Sequence, residues 1–152
     1  MLKIFSPDKK IATKKIAEAV CKVLNQTDKL MAEIIFVSKQ EIKELNARTR
    51  GVDSVTDVLS FPTLDKIRGK VISPTDFKME REGKWLNVGS IALCEDKIKE
   101  QAKEIGHREV KERTYLIIHG LMHLFGYDHM TETDKKQMRD KEKSVLALLE
   151  IE

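Results

Sequence analysis

Three of the chain's four histidines fall within eleven residues, at His119, His123 and His129. His119 and His123 are four apart, so on a helix both imidazoles leave the same face, one turn from each other. They sit in the most apolar part of the chain, Tyr115 to Phe125, where only His119, Gly120 and His123 break an otherwise hydrophobic run. Imidazoles confined there are costly unless each ring nitrogen finds a partner. A divalent metal supplies one. Gly126 stops the helix and lets the chain fold back, which brings His129 towards the same point from outside it. Three protein nitrogens with a vacant fourth position is the arrangement of catalytic zinc, whereas structural sites close with a fourth ligand. Histidine-only ligation also suits copper, nickel or iron. A hydrogen-bonded core histidine is the ordinary reading for a single buried imidazole, and a third histidine after a helix-stopping glycine weighs against it.

Other groups bear on the same chemistry. Arg50 by itself reads as a solvated charge at a helix end, although a guanidinium stays charged and can grip an anion with two parallel hydrogen bonds. Asp128 can orient a ligand or bond the turn backbone. Ser60 is placed to line a cleft, and Tyr127 and Trp85 read as packing residues. Cys21 and Cys94 lie far apart without metal-type spacing, and His107 lies three turns from His119. No residue stands out as general base.

The elements that must position these groups can be read from spacing. Leu2–Phe5 is a short strand, and Ser6-Pro7 offers an N-cap and a first helical residue for a helix running to about Asn25. Met31–Val37 is a strand, and Ser38 to Glu41 forms a capping box for a helix ending near Arg48, before Gly51. The strand–helix–strand order predicts two parallel strands. Val58–Phe61 is a strand stopped by Pro62, and Val88–Cys94 another. Between them, residues 63–84 carry Gly69, Pro74 and Gly83 and read as a long loop or protruding hairpin. A helix from Asp96 to Ile105 ends on Gly106, a buried helix spans Arg108–Phe125, and a last helix opens at Thr131 with Asp134 three residues on. The class is α+β: a small mixed β-sheet of about four strands packed with helices, one of them central and buried with two metal-binding histidines.

With 152 residues the chain is read as one domain spanning residues 1–152. Charged residues make up 35% and Gly plus Pro number only ten, which excludes a disordered or linker-rich chain. The longest apolar runs, Ile34–Val37 and Tyr115–Ile118, are far shorter than a membrane span. The first residues hold no apolar stretch of secretory type, so a cytoplasmic protein with reduced thiols is expected. A net charge of +3 permits a nucleic-acid partner without demanding one. Arg48, Arg50, Lys97, Lys99 and Lys103 are candidate phosphate contacts, and the Lys66–Lys84 segment, with Arg68, Arg81 and Trp85, is a candidate overhang of the cleft.

The His-x3-His-x5-His run resembles the signature of the YbeY family of bacterial metal-dependent endoribonucleases. Leu45-Asn46, Arg50 and Thr56-Asp57-Val58-Leu59-Ser60-Phe61-Pro62 are similar to that family's second block. Gly89 and Ile91 resemble its third, which reads Gly-Asp-Ile where this chain has Ser90. The resemblance implies a zincin-like fold and one Zn2+ held by His119, His123 and His129. It also implies a role for Arg50 in activity, and single-strand-specific cleavage in ribosomal RNA maturation and ribosome quality control. The expected partners are single-stranded RNA, ribosomal RNA and the ribosome, with no membrane and no DNA. The His123-x-x-Gly126-x-x-His129 portion also resembles metalloproteases, but these carry a Glu after the first histidine as general base, and here that position is Gly120. A metalloprotease-like metallohydrolase, and a non-catalytic ribosome-associated RNA-binding module with a structural zinc, are the competing functions.

Overall fold

The computed structural model describes residues 1–151. In chain order the elements are β1 (Leu2–Phe5), α1 (Thr13–Leu24), β2 (Leu30–Phe36), α2 (Lys39–Arg50), β3 (Val58–Pro62), a 3-10 turn (Lys78–Glu80), β4 (Arg81–Glu82), β5 (Trp85–Leu93), α3 (Glu95–Ile105), α4 (Glu109–Leu124) and α5 (Glu132–Leu148). The sheet runs β1-β2-β5-β3, with β4 paired to β5 in a short hairpin. β1, β2 and β5 are parallel neighbours, while β3 and β4 run antiparallel to β5. The class is the expected α+β mixed sheet. The sheet has five strands rather than about four, because two residues at the end of the 63–84 segment join its edge.

Two further expectations are corrected. Ser6 does not cap α1; its hydroxyl accepts from the Asp8 amide at 3.1 Å in a local turn, and the helix begins at Thr13. Residues 6–12 instead form a connector that puts Ile11 into the core. The 63–84 segment is not a free protrusion either, since Leu64, Ile67 and Ile72 are buried in the main core. Apolar residues spaced this irregularly show neither helical nor strand periodicity, so only the packed chain reveals them. The capping boxes hold: Ser38 with Glu41 opens α2, and Thr131 with Asp134 opens α5. α2 runs to Arg50 and ends on Gly51 in the left-handed region.

α4 is the element on which the site rests. Ile117, Ile118, Leu121, Met122 and Leu124 are fully buried along it. Gly120 faces the sheet, where an added Cβ would lie 3.0–3.1 Å from the Ile91 side chain. The absent side chain lets α4 sit close against β5. That close approach accounts for a glycine in mid-helix despite its cost of about 1 kcal/mol against alanine.

Candidate metal centre

With α4 buried by its apolar sides, the His119 and His123 stripe is the part left facing a cleft. The His119 and His123 Nε2 atoms lie 3.2 Å apart. The chain leaves α4 through Gly126, whose φ of +93° suits glycine, and returns along an exposed turn carrying His129. The ligand nitrogens of all three histidines lie within 4.8 Å of one another. The His129 ring is 5.1 Å from that of His123 and 5.8 Å from that of His119, centre to centre. Among the described residues, no fourth His, Cys, Asp or Glu joins the group. Cys94 lies buried in a separate small cluster with Ile42, Leu59 and Ala92, and Cys21 lies on α1.

The donor set fits a tetrahedral metal. Two nitrogens bound to one zinc at about 2.0–2.1 Å sit about 3.3 Å apart at tetrahedral angles, close to the separation of the helix pair. Glu142 on α5, itself buried, meets His119 Nδ1 at 2.6 Å. A carboxylate there accepts a hydrogen bond from Nδ1–H and leaves Nε2 as the lone-pair donor, an orientation common among metal-binding histidines. Burial, followed by the neighbouring His119 and His129 rings, lowers the His123 pKa to about 4. The His123 ring is therefore neutral, as a ligand must be, without a change of pH.

Glu142 has no local motif. Its sequence signal was an acid inside the buried stripe of α5, between Met138 and Val145.

The histidines open into a cavity of about 460 Å³ lined by Arg50, Asp57 and Ser60 among others. Arg50 reaches it from the last residue of α2, and Asp57 and Ser60 from the start of β3. Ser60 donates to the Gly120 carbonyl at 3.4 Å, tying β3 to α4. Asp57 is the one carboxylate along this lining, a candidate proton acceptor that spacing did not single out. A larger concavity of about 580 Å³ lies between β1 and α1 and holds none of these groups.

Asp128 does not join the group that the histidines form. Its Oδ2 accepts from Arg68 Nη2 at 2.6 Å, while Arg68 Nη1 donates to Asp134 at 2.7 Å and Nε to the Gly126 carbonyl at 3.2 Å. Arg68, and then the Thr131 cap, hold the Asp134 carboxyl below its ordinary range. Arg81 is likewise occupied, in a buried pair with Asp28 at 2.6 Å. Both guanidiniums are engaged within the fold, and neither arginine lines the histidine cavity, so the segment does not overhang it as expected. Tyr127 is buried as a packing residue, and Trp85 lies partly exposed beneath the Lys3 ammonium, 4.5 Å above the ring.

An α+β chain with three convergent imidazoles in an open cleft, one of them oriented by a buried carboxylate, has the make-up of a metallohydrolase. The sequence model described as "Endoribonuclease YbeY" matches residues 3–150, and the chain belongs to that family of hydrolases acting on RNA. Endoribonuclease YbeY of Clostridium botulinum (strain Alaska E43 / Type E3) is 42% identical over 123 residues, covering 78% of this chain and 74% of the relative. The protein of the same description from Clostridium perfringens (strain SM101 / Type A) is 38% identical over 149 residues, covering 91% and 88%. The solution structure of TM1509 from Thermotoga maritima is similar throughout. It has a TM-score of 0.57 at 26% identity and covers 99% of this chain and 92% of that one.

Proposed function

We propose that this chain is a zinc-dependent, single-strand-specific endoribonuclease acting in ribosomal RNA maturation and ribosome quality control in the cytoplasm, with a zincin-like arrangement of α4 and its following turn. The carrying observation is that His119, His123 and His129 converge, with no fourth protein ligand among the described residues, in the same cavity as Arg50. His119, His123 and His129 would hold the metal. When bound, it supplies Lewis acidity, which makes water a usable nucleophile near neutral pH and steadies charge on a phosphoryl oxygen.

The chain's own residues do the rest. Arg50 neutralises the scissile phosphate and fixes its orientation through paired hydrogen bonds. Asp57 is available to take the proton released by the attacking oxygen, whether that is water or the neighbouring 2′-hydroxyl. Glu142 keeps His119 in the tautomer that leaves Nε2 free. Single-stranded RNA fits a cleft in which a phosphate must meet the histidines, since an unpaired strand can bend to bring it there. Ribosomal RNA and the ribosome are the partners on this reading. Gly120 counts against peptide hydrolysis, because a carboxylate is missing at the position where proteases with this helix carry one.

The test is elemental analysis of untagged protein, wild type and His123→Ala, together with cleavage of single- and double-stranded RNA with and without a chelator. About one zinc per wild-type chain, lost in the variant, with chelator-sensitive cutting of the single strand, is the expected result. Equal metal in both proteins would overturn the reading.

A further inference from the structure

We infer that Arg68 is a positioning residue for the metal centre: its guanidinium clasps the turn on both sides of His129 and so holds that imidazole opposite the helix pair. The inference rests on the proposal that the three histidines bind one metal.

The argument starts from what His129 lacks. His119 and His123 are fixed by a buried helix, but His129 is exposed on a turn that begins at a glycine and ends at the N-cap Thr131. Packing stops short of it, the nearest buried residue on the turn being Tyr127, two positions earlier. Arg68 contacts that turn at three places. Nε binds the Gly126 carbonyl at its start, Nη2 binds Asp128 beside His129, and Nη1 binds Asp134 at the opening of α5. A planar fork bonding all three sets their separation, which a flexible point charge does not do. Backbone contact adds to it, since a Cβ on Gly126 would lie 2.7 Å from the Arg68 amide.

The Asp134 contact ties the far end of the turn to α5, whose Met138 and Val145 are buried. Ile67, next to Arg68, is buried in the core, so the clasp is anchored rather than loose. The 63–84 segment thereby acquires a role in the centre without lining its cavity.

Zinc affinity of the full-length chain, by competition with a chromophoric chelator, tests this on wild type, Arg68→Ala, Arg68→Lys, His129→Ala and the Arg68→Ala/His129→Ala double variant. Arg68→Ala is expected to weaken zinc binding about 10- to 100-fold, in the range of lost outer-shell partners. Arg68→Lys should fall between it and wild type. Once His129 is gone its positioning no longer matters, so the double variant should bind no more weakly than His129→Ala alone. The visible spectrum of bound Co2+ should shift in Arg68→Ala towards that of His129→Ala.

Wild-type zinc affinity in Arg68→Ala, or losses that multiply in the double variant, would overturn the inference and leave the metal centre standing. A wild-type chain that binds no zinc would bring down both. Should Arg68→Ala fail to fold, Arg68→Lys and Asp128→Asn weaken the clasp more mildly. They must then weaken zinc only while His129 is present.

Discussion

The candidate centre joins two regions built on different principles. His119 and His123 ride on α4, where Ile117, Ile118, Leu121 and Met122 lock the backbone by burial. His129 sits on an exposed turn held by hydrogen bonds from Arg68. A helix delivers two ligands at fixed spacing because its periodicity does so unaided. A third ligand on the same helix would have to come from a further turn along one line, which cannot close a tetrahedron. The chain must therefore reverse, and the reversal must be held by something other than core packing.

The largest expected effect separates the two regions directly. His123→Ala and His129→Ala should each weaken zinc binding by far more than Arg68→Ala does and abolish RNA cleavage. Their metal-free forms should differ. His123 is largely enclosed, so its loss opens a void and lowers the metal-free melting temperature. Removing exposed His129 should leave metal-free stability within about 0.5 kcal/mol of wild type. Thermal melts in excess chelator decide this, and equal destabilisation would break the distinction between a packed region and a clasped one.

Next in size is Arg50→Ala, which touches neither region. If Arg50 steadies phosphate charge, cleavage should fall by about 10²- to 10³-fold, the scale of losing one preorganised donor. Zinc affinity should be unchanged. A loss of zinc in this variant would mean that α2 helps build the metal centre, and the two-region division would need a third member.

The same contrast explains what could be read from the chain alone. The histidine triad, Gly126 and the Thr131 cap lie within thirteen residues of continuous chain, so local spacing carried them. The parallel pairing of β1 and β2 followed from a strand–helix–strand order. Glu142 and Arg68 were not recoverable in this way, because their partners lie 23 and about 60 residues away and neither contact leaves a periodic trace. The misplaced start of α1 has a different cause. Ser6-Pro7 has capping chemistry, but a serine also closes tight turns, and burying Ile11 settled which use prevailed.

Glu142→Gln sharpens the account of the helix region. The amide keeps the volume and can accept from Nδ1–H only as an uncharged oxygen, so His119 becomes a poorer donor. Zinc affinity should drop about 10- to 100-fold, and Asp or Ala at this position should do no better. Because Glu142 acts on α4 and Arg68 on the turn, the Glu142→Gln/Arg68→Ala double variant should show nearly additive losses in binding free energy. Strong non-additivity would show that α5 couples the two regions into one unit.

The smallest effect belongs to the clasp itself and appears in acid. The Asp134 carboxyl is held below its ordinary value, first by Arg68 and then by Thr131. Its folded pKa thus lies below its unfolded one, and the unfolded chain binds this proton more readily. The contribution is present above the ordinary carboxylate range and is lost as pH falls through the lowered value. The pair is exposed to solvent, so screening keeps the effect small. Metal-free stability measured by denaturant between about pH 5 and pH 3 should fall more steeply in wild type than in Asp134→Asn. Arg68→Ala should lie between the two, because Thr131 still lowers the carboxyl once the arginine is gone. Parallel slopes in all three proteins would mean that the ion pair adds nothing, and the turn would then be held by its backbone contacts alone.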